Sequence, residues 1–162
     1  MIERRTLFLW TWRGLGAALA VGAMEGVAAL GETPLKRVPF VTSIALVMGM
    51  PEAEPAQPRA LIGGHLMSTL VGFAVLWLAG PAPAAGAFAV GLALVVMRGT
   101  RTLHPPAAID PLIVVVEDLS ISFLLVPIAS GALLLAAYAH LWHRLLPGAD
   151  WPRQPVPRQP DA

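Results

Sequence analysis

The amino-acid sequence predicts an all-α fold, a polytopic bundle of transmembrane helices, from two observations. Hydrophobic residues make up 56% of the chain and charged residues only 13%, whereas about a quarter of a soluble domain is charged. No formal charge occurs between Arg59 and Arg98, or between Asp118 and Arg144. Because about 20 apolar residues of helix cross the hydrocarbon core of a bilayer, the first stretch is long enough for two crossings and the second for one.

Six hydrophobic segments follow one another along the chain. They lie at about residues 13–30, 38–50, 60–79, 83–98, 105–116 and 120–143. Four are long enough, or nearly so, to cross as regular helices, and a tight turn at Gly80–Pro83 joins the third to the fourth. The second and fifth are short, and short apolar segments are more often re-entrant or broken helices. Prolines lead into both, Pro39 in one and Pro105–Pro106 in the other, and proline is favoured in a first helical turn.

These segments divide the chain into three parts. Residues 1–12 are predicted to be a cytoplasmic N-terminal segment, residues 13–146 the transmembrane domain, and residues 147–162 a disordered, proline-rich tail. The arginines before the first apolar run resemble the start of a signal peptide. That run contains Glu25 and lacks a clean cleavage site, so we expect a retained first helix.

The distribution of Lys and Arg predicts the orientation in the membrane. If all six segments cross and the N-terminus is cytoplasmic, the outer side carries Lys36 and Arg37 with Glu117 and Asp118. If the short segments only dip into the bilayer, the charge asymmetry nearly disappears. The rule therefore favours six crossings of a cell inner (plasma) membrane with both termini in the cytoplasm. The arginines on the cytoplasmic side would be Arg4, Arg5, Arg13, Arg59, Arg98, Arg101 and Arg144.

The order of segments is long, short, long in each half of the chain. Three crossings per half would give the two halves opposite orientations, as in an inverted repeat. Paired, interrupted segments in two inverted halves are typical of a transporter's central site. Wide separation of the N-termini of the two short segments would remove the physical basis for such a site. In a chain so rich in Ala, Gly and Val, the similarity of the halves can also arise by chance.

The stretch around Pro105 predicts a site for a small anion. A helix that begins there would present free backbone N–H groups and a partial positive charge, with Arg101 and His104 beside it. The alternative is structural: His104 caps the helix and Arg101 binds lipid phosphate.

The third segment predicts close helix packing. Gly64, Ser68 and Gly72 recur at helical spacing, and small residues in such a row let another helix approach. His65 lies next to the row and has two interpretations, a pathway residue or a hydrogen bond across the helix pair. Glu25 and Asp110 are candidates for handling a coupled proton, although each could also be a carboxylate at a boundary or cap.

The His104-Pro105-Pro106 motif resembles that of the HPP family of integral membrane proteins. The chain differs from the family pattern at two places, Val41-Thr42-Ser43 in the second segment and Ile109-Asp110 after the motif. The resemblance implies a small helical membrane protein, usually described with four spanning helices, and plant and cyanobacterial relatives are linked to nitrite transport. It covers about residues 13–146, and its further matches are Ala56-Gln57-Pro58-Arg59, Ile62-Gly63-Gly64-His65-Leu66, Arg101-Thr102-Leu103 and Phe123-Leu124-Leu125-Val126-Pro127.

The predicted function is a transporter or channel for a small inorganic anion, nitrite by resemblance. Glu25 or Asp110 would carry a coupled proton. The residues predicted to bind the anion are Thr42, Ser43, Arg59, His65, Arg101, Thr102 and His104.

The alternative function is a non-transporting membrane scaffold or sensor that acts through helix contacts. We expect no enzyme activity, because the sequence contains no nucleophile elbow, phosphate loop or paired catalytic carboxylates. We expect neither cofactor nor metal, and the net charge of +1 recruits no nucleic acid. The bilayer and a small anion are the expected partners. A homo-oligomer could form with Gly22-x-x-x-Gly26 or Gly64-x-x-x-Ser68 at its interface.

Overall fold

The computed structural model describes residues 3–31, 40–146 and 151–153, and within these ranges the chain is helical without strands. The six α-helices are α1 (Arg4–Gly31), α2 (Phe40–Gly49), α3 (Pro58–Ala79), α4 (Pro83–Gly99), α5 (Asp110–Val116) and α6 (Ser130–Arg144). Short 3₁₀-helical segments at Glu54–Ala56 and Pro105–Ile109 precede α3 and α5. The segment Leu124–Ala129, which is kinked at Val126 where the backbone angles are not helical, leads into α6. The predicted helical bundle of four longer and two short helices is confirmed.

The bounds of α3 and α4 follow the predicted segments closely. Among the described residues, three stretches are long and apolar enough to cross a membrane by length and composition, namely Arg4–Val27, Pro58–Ala79 and Leu124–Arg144. The first helix begins at Arg4 rather than at residue 13, so most of the predicted N-terminal segment is helical. Gly80 adopts a φ of 73° in the turn between α3 and α4, a left-handed conformation that suits glycine. Pro39, Lys36 and Arg37 lie outside the described residues.

Hydrogen bonds bring α1, α2 and α6 together at one end of the bundle. The Arg13 guanidinium donates to the Gly49 carbonyl at 2.8 Å and pairs with Glu52 at 3.1 Å. His143, near the end of α6, donates to the Val47 carbonyl at 3.1 Å. The early part of α1 therefore lies beside the C-terminal ends of α2 and α6.

The start of α3 and the end of α4 lie next to each other in the same way. Arg59 donates to the Thr100 carbonyl at 3.1 Å. Since the loop before α3 continues directly from α2, these elements share one end of the bundle, which we call the arginine-rich end. Its arginines include Arg13, Arg59, Arg98, Arg101 and Arg144. The predicted clustering of these charges is thus present, and the assignment of this end to the cytoplasm stays a prediction.

The two short helices begin at the same level inside the bundle. The ring of Phe40, at the start of α2, lies 4.7 Å from the His65 ring between centroids, and Asp110, at the start of α5, bonds to the same imidazole. From His65, in the first half of α3, α2 runs to the arginine-rich end and α5 runs to the opposite end. The ten residues of α2 rise only about 15 Å and the seven residues of α5 only about 10 Å, so neither helix alone crosses a hydrocarbon core of about 30 Å. The N-termini of the two short helices therefore meet beside His65.

The row of small residues on α3 receives the segment before α5. A Cβ on Gly64 would lie 2.5 Å from the His104 Cβ and 2.8 Å from the Thr102 carbonyl oxygen, and a Cβ on Gly72 would lie 2.7 Å from the Pro111 Cα. The predicted close approach is confirmed, but the partner belongs to the same chain. The suggestion that Gly64 and Ser68 line an oligomer interface is therefore wrong, because both are buried inside the bundle.

Filling this contact is expected to destabilise the fold. Gly64→Ala would place a methyl group against the His104 Cβ and the Thr102 backbone, and overpacking of this kind costs about 1–3 kcal/mol. Thermal unfolding in detergent micelles should show a midpoint several degrees lower. Gly91→Ala on α4 is the matched control, since nothing lies within 4 Å of its Cβ position. Equal midpoints for both variants would contradict the close packing.

Part of the predicted disordered tail packs against the bundle. Trp151 is only 4% exposed, and its indole N–H donates to the Ala56 carbonyl at 3.0 Å. The Arg153 N–H donates to the Gln57 side chain at 2.9 Å. Trp151–Arg153 thus differ from the prediction, because the indole has an apolar site and a carbonyl partner beside α3. Residues 147–150 and 154–162 lie outside the described residues.

Candidate functional site

Four polar side chains meet where the two short helices begin, and we call them the buried polar network. They are Ser43 from α2, His65 from α3, His104 from the segment before α5, and Asp110 at the start of α5. All four side chains are completely buried. Polar groups out of water are stable only when they are hydrogen-bonded, so their bonds define what the network can do.

The network forms one continuous run of hydrogen bonds. His104 donates from Nδ1 to the Pro55 carbonyl at 2.7 Å, and its Nε2 lies 2.9 Å from the Ser43 hydroxyl. The same hydroxyl lies 2.9 Å from Nε2 of His65. Nδ1 of His65 lies 2.7 Å from Oδ2 of Asp110. One serine hydroxyl thus joins two imidazoles, and a carboxyl group ends the run.

Two hydroxyls on α3 support the Asp110 end. Ser68 donates to Oδ2 of Asp110 at 3.3 Å, and Thr69 donates to the same oxygen at 3.5 Å. Among the residues that the structure describes, Oδ1 of Asp110 is buried without a hydrogen-bond partner. The inner end of the run therefore has one acceptor still open.

The other end of the run reaches a cleft that contains three arginines. The cleft has a volume of 520 Å³ and lies at the arginine-rich end. We call it the arginine cleft. Pro55, whose carbonyl accepts the His104 bond, belongs to its wall. Its lining residues are Glu54, Pro55, Gln57, Arg59, Ala60, Arg98, Gly99, Arg101 and Leu103.

The anion-site residues predicted from the sequence fall into two separate groups. Ser43, His65 and His104 join the buried polar network, whereas Arg59 and Arg101 line the arginine cleft. The structure places Arg101 and His104 in different groups, so the anion site between them stays a prediction. Both ring nitrogens of His104 are bonded within the protein, Arg101 is exposed at a φ of 57°, and the Asp110 carboxyl occupies the start of α5.

The remaining predicted residues lie outside these groups or at their edge. Thr102 is buried against Gly63, and its hydroxyl lies 2.8 Å from that of Thr100. Thr42 is exposed on α2, and Glu25 is exposed on α1. Of the two acids predicted to handle a proton, the structure brings only Asp110 into the network.

Sequence reasoning missed three contributors to these sites. Arg98 lines the cleft, and the sequence singled it out only as part of a charge count. Ser68 and Thr69 donate to Asp110, although Ser68 was predicted only as a packing residue. Their spacing of three and four from His65 was an available signal, because residues so spaced share a helix face.

The amino-acid sequence of the chain is similar to those of known membrane proteins. A family model described as HPP, transmembrane region, matches residues 2–152. Two transmembrane proteins of Dictyostelium discoideum are each 33% identical to the chain, over 136 and 134 residues, which cover 78% and 76% of it. The matched regions cover 48% and 43% of those relatives, so the chain spans about half their length. No solved structure matches.

Proposed function

The chain belongs to the HPP transmembrane family, and we propose that it is a transporter or channel for a small inorganic anion. Nitrite is the first substrate to test, by resemblance to the plant and cyanobacterial relatives. We also propose that the protein moves its substrate without chemical change rather than acting as an enzyme.

The arginine cleft is the observation that carries this proposal. Arg59, Arg98 and Arg101 line it, and Glu54 is the one acid among its lining residues. A cleft lined by one sign of charge raises the local concentration of ions of the opposite sign. At 520 Å³ it is far larger than one small ion, so it suits a vestibule that gathers anions before they cross.

The two short helices, α2 and α5, also favour a transport protein. Short helices that begin inside a membrane and face each other are typical of transporter sites, since they place polar groups where a regular helix would present only side chains. Here their N-termini meet at His65, directly inward from the cleft wall. An anion that enters the cleft could therefore move inward to a polar region of the bundle.

Removing charge from the cleft is expected to slow anion entry. In proteoliposomes, the Arg59→Ala/Arg101→Ala variant should take up nitrite about tenfold or more slowly than wild type, because the attraction at the cleft is lost. Raising the salt concentration should narrow that difference by screening. Arg144→Ala is the matched control, since Arg144 is exposed at the same end outside the cleft, and it should transport normally.

The outcomes separate the two functions predicted from the sequence. Undiminished uptake by the double variant would remove the cleft from the pathway. Absence of flux for nitrite and every other small anion in wild type would favour the scaffold or sensor function instead.

A further inference from the structure

The bonds of the buried polar network determine how many protons it holds. A backbone carbonyl can only accept a hydrogen bond. Because Pro55 faces Nδ1 of His104 at 2.7 Å, that nitrogen must carry a hydrogen. In a neutral ring, Nε2 of His104 is then an acceptor, and it needs the hydrogen of the Ser43 hydroxyl.

The same reasoning at the other imidazole leads to a conflict. If Asp110 is ionised and His65 is neutral, Nδ1 of His65 donates to the carboxylate and Nε2 is again an acceptor. The Ser43 hydroxyl would then face two acceptors, each 2.9 Å away, with a single hydrogen to donate. In one of these two contacts, the lone pairs of the oxygen and the nitrogen would then face each other with no hydrogen between them. Such a contact is unfavourable in a buried site.

One additional proton satisfies every bond of the run. With that proton on the pair of His65 and Asp110, Nε2 of His65 carries a hydrogen and donates it to the Ser43 oxygen. The hydroxyl of Ser43 then donates to Nε2 of His104, whose Nδ1 donates to Pro55. The buried charges of an imidazolium and a carboxylate compensate each other at 2.7 Å.

All the hydrogen bonds are also satisfied when the excess proton is on His104 instead of on the pair of His65 and Asp110. The N–H bond at Nε2 of His65 breaks as an O–H bond forms at Ser43, and the original O–H bond of Ser43 breaks as an N–H bond forms at Nε2 of His104. His104 becomes the cation, and His65 keeps its Nδ1 hydrogen bond to the carboxylate. No atom has to move farther than the length of a hydrogen bond.

We propose that Asp110, His65, Ser43 and His104 form a proton relay that holds one excess proton and passes it between the centre of the bundle and the wall of the arginine cleft. The Ser43 hydroxyl is the link between the two imidazoles. The charged groups at the outer end are those of the cleft, Glu54, Arg59, Arg98 and Arg101. The relay goes beyond anion transport, since its proton count holds with no anion present.

The test is nitrogen NMR of the full chain labelled with ¹⁵N-histidine, in detergent and without any anion substrate. With the excess proton on the inner pair, His65 should carry a hydrogen on Nε2 while His104 carries one on Nδ1 only. With the proton at the outer end, His104 should carry hydrogens on both nitrogens. Unprotonated Nε2 on both rings would show that there is no excess proton and would overturn the proposal. Because this readout uses wild type and no anion, it is independent of the proposed transport function.

Ser43→Ala tests the link itself. In wild type, the Nε2 signals of His65 and His104 should show one common exchange rate, because a single transfer changes the protonation of both. In Ser43→Ala that shared exchange should disappear. Ser130→Ala is the matched control, since Ser130 is partly buried on α6 and donates to the Pro127 carbonyl at 3.4 Å, outside the relay. Shared exchange that persists in Ser43→Ala would remove Ser43 from the relay.

Discussion

Replacing His65 by leucine is expected to lower the free energy of unfolding by about 3–5 kcal/mol, because it leaves the fully buried Asp110 carboxyl without its closest partner. Leucine keeps a similar volume, so the loss reports the bond rather than a cavity. The measurement is a reversible denaturant titration in mixed micelles. His140→Leu is the matched control, since His140 is only partly buried on α6, and it should change stability by less than about 1 kcal/mol.

The double variant His65→Leu/Asp110→Leu tests whether His65 and Asp110 stabilise each other. Replacing both members of a buried polar pair by apolar residues of similar size is often nearly neutral, so most of the loss should be recovered. The double-mutant cycle would then give a coupling energy of at least about 2 kcal/mol. Additive losses in the two single variants would show that His65 and Asp110 do not stabilise each other.

Much of the fold could be predicted because residues within each segment determine where its helix begins and how long it is. The length of a charge-free apolar run sets whether a helix can cross the bilayer, and prolines mark where a helix can begin. The four longer and two short helices could therefore be predicted. The packing of Trp151 could not, since its partner Ala56 is 95 positions away and no local pattern connects them.

The candidate site could be predicted residue by residue but not as an arrangement. The small-residue row indicated that another segment approaches α3 beside His65, yet nothing local specifies that the approaching side chain is Asp110, 45 positions away. Arg101 and His104 illustrate the reverse case. They are close in sequence, but His104 is buried in the network and Arg101 is exposed at the cleft.

Asp110→Asn is expected to abolish the dependence of nitrite uptake on a pH gradient. The asparagine carbonyl can still accept the hydrogen bond from Nδ1 of His65, but the amide cannot take up and release a proton. Uptake into proteoliposomes under an inwardly directed proton gradient should fall roughly 100-fold, the scale expected when a positioned proton-transfer group is lost. The unfolding midpoint should change less than in His65→Leu, because the shape and one hydrogen bond are kept.

Glu25→Gln is the informative comparison, because Glu25 and Asp110 were equally plausible proton carriers from the sequence alone. Glu25 is exposed on α1, whereas Asp110 is buried and joined through two imidazoles to the wall of the arginine cleft. If the relay couples proton and anion, gradient-driven uptake should survive Glu25→Gln and fail in Asp110→Asn. The opposite result would place the coupled proton on α1. Gradient-driven uptake equal to that of wild type in both variants would show that neither acid carries the coupled proton.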